Sequence, residues 1–238
     1  MKWVKRIALI IVSLVILAVG GFLIWTQLTY DATAEIELLY GETQPSGEDL
    51  LTFSPNEANG QGIILYPGAK VEPEAYGVIG SRLAEEGYTV FIPKVTLNIA
   101  FFDINKAEEI QAAHPEILTW VVGGHSLGGV AAASFAYENE VAGVFFLASY
   151  PQSSNDFSET ATPMISIYGE DDGLTSPEDI ESSRPLFSDE AIFYEIEGGN
   201  HAQFGVYGEQ RGDNPASITV AEQQEEVVNA LLNWLEEF

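Results

Sequence analysis

Between Leu118 and Glu138 the chain reads LTWVVGGHSLGGVAAASFAYE. A short continuous apolar run, LTWVV, has the character of a strand buried on both faces. It passes through two glycines into Gly124-His125-Ser126-Leu127-Gly128 and then into a segment, GGVAAAS, made almost wholly of small residues. A helix of that composition can lie very close to a sheet. Glycines flanking a serine relieve the crowding of a sharp strand-to-helix turn that lifts the hydroxyl clear of the sheet. The pentapeptide alone is weak evidence in a chain with 22 glycines. Its place between a buried strand and a small-residue helix is what makes it informative, and it sets Ser126 at the tip of an α/β crossover.

The rest of the chain supplies partners for that unit. Ala34–Leu39 and Asp49–Phe53 read as an opening antiparallel pair, and Gly62–Tyr66 as another buried strand. Pro73–Glu86 reads as a helix started by proline and stopped by Gly87. Strands follow at Tyr88–Ile92, Leu118–Val122, Val144–Leu147, Met164–Tyr168 and Ala191–Ile196, with helices at Asn105–Ala113 and Leu127–Glu138. At the end, Thr219 and Glu222 form a capping box ahead of an apolar stripe at Val227, Val228, Leu231, Leu232, Leu235 and Phe238. Alternating strands and helices predict a mostly parallel sheet covered on both faces. The Ala148–Pro163 connection is too short to hold a lid domain.

The first thirty residues differ. Ile7–Trp25 carries no charge, and nineteen helical residues span about 28 Å, close to the hydrocarbon thickness of a bilayer. Trp3 and Trp25 bracket the run, and Lys2, Lys5 and Arg6 precede it, a pattern that keeps this end cytoplasmic. The run continues past the poor cleavage candidate Ala18-Val19-Gly20, which favours an uncleaved anchor over a signal peptide. The expected organisation is a basic flank and transmembrane anchor over 1–30, with one extracytoplasmic domain over 31–238.

All 36 acidic residues lie after Tyr30, whereas three of the nine basic ones precede the apolar run. Such a surface repels polyanions and excludes a nucleic-acid partner. It suits a solvated face or, in a sharper reading, adaptation to high salt or high pH. The absence of cysteine excludes disulfides, thiolate metal sites and a thiol nucleophile. No carboxylate cluster has EF-hand or zinc spacing, no loop has phosphate-cradling form, and no cofactor is expected.

A serine is a poor nucleophile unless a base takes its proton and a third group holds the base. Three histidines are available. His125 sits inside the turn and reads as structural, and His114, before Pro115, as a solvated helix terminus. His201 lies in Gly198-Gly199-Asn200-His201, directly after the last strand and on the side of the sheet where Ser126 stands, so it is the candidate base. The orienting acid should leave a strand end between the two. Gly169-Glu170-Asp171-Asp172-Gly173 does so, with Asp172 preferred to Asp171 and Glu170 behind both. The order Ser126, Asp172, His201 is the one this topology demands. An oxyanion needs two preorganised N–H donors. Leu127 would give one and Ala69, in the Pro67-Gly68-Ala69-Lys70 turn, the other. Asn98–Phe102 would line an acyl pocket or pack as core, and 205–217, with its RGD triplet, would be a flap or a plain surface loop.

These motifs together resemble the α/β-hydrolase family over nearly all of the chain after Tyr30, and are most similar to its small lidless, dienelactone-hydrolase-like branch. The resemblance implies a sheet of about eight strands and a Ser-His-Asp triad acting on ester or related acyl bonds. Dienelactone hydrolases proper use a cysteine, absent here, so their substrate is not carried over. Many relatives place His-Gly before the oxyanion donor, where this chain has Pro67-Gly68. The expectation is therefore a membrane-tethered hydrolase of small or lipid esters. Peptidase, amidase, transacylase or perhydrolase action on the same residues, or a non-catalytic binding module, are its rivals.

Overall fold

The computed structural model describes residues 2–237. Phe238, expected to close the last apolar stripe, lies outside them. Two helices come first, α1 (Lys2–Thr26) and α2 (Ile36–Leu39), followed by strands β1 (Leu50–Phe53) and β2 (Gln61–Tyr66). The chain continues through α3 (Gly77–Glu85), β3 (Thr89–Pro93), α4 (Lys106–Ala113), β4 (Thr119–His125), α5 (Leu127–Glu138) and β5 (Gly143–Leu147). It ends with β6 (Met164–Gly169), α6 (Pro177–Ser183), β7 (Ile192–Ile196) and α7 (Val220–Leu235). One sheet of seven strands has the order β1-β3-β2-β4-β5-β6-β7. Every pairing is parallel except that of β1 with β3.

The period-2 alternation of each strand divides the core into two layers. Ile63, Leu65, Val90, Val121, Phe145 and Ile167 face α3 and α7, which contribute Ile79, Leu83, Val227, Leu231 and Trp234. Ile64, Tyr66, Phe91, Val122, Val144 and Phe146 face α4 and α5. The small residues of α5 allow the close approach expected of them: Ala131, Ala132 and Ala133 are fully buried. The capping box at Thr219 and Glu222 is present at the start of α7.

The sheet has one strand fewer than the expected eight, and the difference lies at Ala34–Leu39. There Ile36–Leu39 is a short helix, with Ile36 packed against Val78 and Val206 and Leu38 in solvent. β1 pairs instead with β3, Leu51 opposite Ile92.

Helix α1 is long and apolar enough to cross a membrane, and none of its apolar window is buried against the domain. Only its end is docked. The Asn98 side-chain amide donates to the Thr26 carbonyl at 3.0 Å, satisfying one of the carbonyls a helix terminus leaves unpaired. Tyr30 then bridges Val71 in parallel: its N–H donates to the Lys70 carbonyl at 2.7 Å, and its carbonyl accepts from the Glu72 N–H at 3.0 Å.

Candidate active site

Ser126 stands where β4 turns into α5, with φ 51° and ψ −122°. L-residues avoid this region, at a cost of about 1–3 kcal/mol, so the surroundings must enforce it. They do so from both sides. The Ser126 N–H donates to the Leu147 carbonyl at 2.9 Å, and the buried Ser149 hydroxyl donates to the Ser126 carbonyl at 2.6 Å. The flanking glycines are required by space. A Cβ on Gly124 would lie 2.4 Å from the carbonyl carbon of Gly128, and one on Gly128 would lie 2.2 Å from the Tyr66 oxygen. That second contact also brings the loop leaving β2 against the first turn of α5.

The loop after β2 carries Pro67, Gly68 and Ala69. The Gly68 N–H donates to the Tyr76 hydroxyl at 2.9 Å, and that hydroxyl lies 2.9 Å from His125 Nδ1. With the hydroxyl accepting from Gly68, its proton goes to His125, which assigns the ring proton to Nε2. Burial, and secondarily the neighbouring His201, hold His125 well below the ordinary histidine range, so it is the neutral acceptor this chain of bonds needs. His125 is thus a brace for the loop, in line with its structural reading. The N–H groups of Ala69 and Leu127 have no hydrogen-bond acceptor among the described residues.

The turn after β6 and the loop after β7 meet. The Asp171 N–H donates to the Gly199 carbonyl at 2.8 Å, and Glu170 accepts from the Gly198 N–H at 3.0 Å. Of the three acidic candidates it is Asp172 whose carboxylate reaches His201, Oδ2 to Nδ1 at 2.9 Å, with both residues buried. Its other oxygen accepts from the Leu174 and Thr175 N–H groups at 2.8 and 2.6 Å. A carboxylate so held accepts from the ring N–H and fixes the imidazole with Nδ1 protonated and Nε2 available.

The ring of His201 lies against that of His125, centroids 4.6 Å apart, which brings the loop after β7 to the turn that carries Ser126. The Ser126 hydroxyl makes no hydrogen bond to it among the described residues. In ligand-free sites such bonds are commonly long and tighten only when substrate is bound. His114 is remote from these groups, paired with Glu116 at 3.0 Å.

The model of the alpha/beta hydrolase family matches residues 62–225. The chain belongs to that family. None of the curated proteins compared matches it. Among solved structures, this α/β hydrolase resembles MGS-MChE2, an alpha/beta hydrolase enzyme from the metagenome of lagoon sediments at Mar Chica, Morocco, at 16% identity and TM-score 0.60, covering 83% of this chain and 99% of that one. It also resembles the esterase domain of a Rhodothermus marinus protein, at 17% identity and TM-score 0.60 over 81% and 95% of the two chains. A predicted CIB-like hydrolase from Thermoplasma acidophilum matches at 13% identity and TM-score 0.62 over 79% and 92%. At such identities the likeness is one of fold.

Two residues of this α/β hydrolase's candidate site were not legible beforehand. Tyr76 braces Gly68, as described. Asp213, the acid of the RGD triplet, accepts from the Ala202 N–H at 2.8 Å and the Gly173 N–H at 3.0 Å, tying the His201 loop to the Asp172 turn. The 205–217 segment is thus a brace for the site, and its acid faces inward. Asn98–Phe102 divides: Ala100 is core, whereas Phe101 and Phe102 are exposed.

Proposed function

We propose that this chain is a serine hydrolase of esters, held on the outer face of a membrane by α1. The observation that carries the reading is the buried Asp172–His201 bond at the same sheet edge as a strained serine, Ser126, where β4 turns into α5. Oγ of Ser126 attacks the acyl carbon while its proton passes to His201 Nε2, and Asp172 stabilises the imidazolium. The Ala69 and Leu127 N–H groups bind the oxyanion. The acyl–alkoxy bond breaks, and the alcohol leaves with the proton held by His201. Water then attacks the acyl-enzyme, His201 takes and returns its proton, and the acid departs, freeing Ser126. The kinship of fold with an esterase domain supports an ester as substrate. The apolar length of α1 and the bases Lys2, Lys5 and Arg6 ahead of its uncharged run support an anchor with the domain outside.

The test uses the full chain in non-ionic detergent with a fluorophosphonate probe. Wild type labels at one serine, Ser126→Ala not at all, and His201→Ala at a rate lower by about 10³ or more. Labelling that survives Ser126→Ala rejects the nucleophile.

A further inference from the structure

The junction between α1 and the catalytic rim is more elaborate than a tether requires. Lys70 has φ 64°, and Leu97 and Asn98 each have φ 55°, a conformation L-residues avoid. All three gather where the end of α1 docks. The Lys70 N–H donates to the Asn98 carbonyl at 2.7 Å, and its ammonium lies 4.6 Å from the Trp25 ring centroid and 5.7 Å from that of Tyr30. Both loops leave the carboxyl ends of β2 and β3, the edge that carries the site, and Lys70 is the neighbour of Ala69.

The second of these loops ends in an apolar tip. Phe101 is 45% and Phe102 55% exposed. The Phe102 ring meets that of Phe22 edge-on at 6.5 Å. Phe22 stands three residues before Trp25, about 4.5 Å deeper along α1. A helix that crosses the bilayer with Trp25 at the interface therefore carries Phe102 to the margin of the hydrocarbon. We propose that the catalytic rim is seated on the outer leaflet through Phe101, Phe102 and Trp25, and that the substrate is an ester-bearing amphiphile taken from the bilayer rather than a dissolved ester. This rests on the reading of α1 as a membrane span and of Ser126 as nucleophile. Charge narrows the surface further. The acids outside α1 repel anionic headgroups, and Lys70 already faces two aromatic rings, so the contact is apolar and favours zwitterionic lipid.

The absence of cysteine makes a direct test available. Phe102→Cys and Leu118→Cys, the latter 88% exposed just before β4 at the opposite end of the sheet, are each labelled with an environment-sensitive fluorophore. The full chains are reconstituted in phosphatidylcholine vesicles. Emission at 102 is expected to shift to the blue and to be quenched by spin-labelled lipid, while emission at 118 stays water-like. A water-like signal at both sites overturns the seat, as does a shift at 102 that appears only with an added protein and not with lipid. In the double variant Phe101→Ser with Phe102→Ser, the turnover of a long-chain fluorogenic ester in the bilayer, taken relative to p-nitrophenyl acetate, is expected to fall about tenfold. An unchanged ratio overturns the substrate class. Fluorophosphonate labelling in the same vesicles separates the underlying reading. A buried probe with an unreactive Ser126 sinks the hydrolase and with it the substrate, whereas a reactive Ser126 with a water-exposed probe sinks the seat alone.

Discussion

A fully buried tyrosine hydroxyl needs a donor and an acceptor, and Tyr76 has one of each in Gly68 and His125. Tyr76→Phe strands the Gly68 N–H inside the protein. The expected cost is about 1–3 kcal/mol of stability, read by urea unfolding. Because Ala69 follows Gly68, kcat should fall more than KM rises, the mark of a donor lost from the transition state. His125 carries a second expectation. Its pKa is depressed in the folded chain, so below the unfolded value of about 6.5 the unfolded chain binds a proton that the folded one does not. Stability therefore falls as pH drops through that value, by up to about 1.4 kcal/mol per pH unit. Unfolding midpoints of wild type and His125→Asn between pH 7 and 5.5 should diverge in slope, with the variant flatter. Ser126, Asp172 and His201 stood out in the sequence as candidates because each follows a recognisable strand at the same sheet edge, and the bond between Asp172 and His201 is the part that the structure shows. Tyr76 did not, because nothing in the turn ahead of α3 signals that its hydroxyl will meet a backbone eight residues earlier.

At the scale of elements, the central strands announced themselves as continuous apolar runs because both of their faces are buried. Ala34–Leu39 misled for a local reason. Six residues with alternating acids fit a half-buried strand and a single helical turn equally well, and only the pocket that accepts Ile36 decides between them. The 205–217 segment has no periodicity at all, yet it cross-links two loops of the site through Asp213. In Asp213→Ala those loops lose their shared acceptor. The expectation is a loss of about 1–3 kcal/mol together with a drop in fluorophosphonate labelling of about tenfold or more, only partly restored in Asp213→Asn, whose single amide oxygen replaces one of the two accepting oxygens. Equal labelling of wild type and Asp213→Ala would make the brace irrelevant to the site.

For the whole molecule the dominant quantity is charge. Of the six bases after Tyr30, Arg82, Lys94, Lys106 and Arg184 each already lie beside a glutamate. The remaining acids have little to balance them, and their repulsion is felt across the domain at low ionic strength. Raising salt from about 0.01 to 1 M shortens the screening length from about 30 to 3 Å. The Tm of the full chain in non-ionic detergent should climb over that range, and a flat Tm would leave the acidity as a matter of solubility alone. The short link between helix and domain has a different consequence. Only three residues separate Thr26 from the pairing of Tyr30 with Val71, and three residues reach about 10 Å at most. With α1 in a bilayer, the domain has no freedom to swivel or lean away. It would turn only as fast as its helix turns in lipid, and an ester held in the leaflet would reach it along the plane of the membrane.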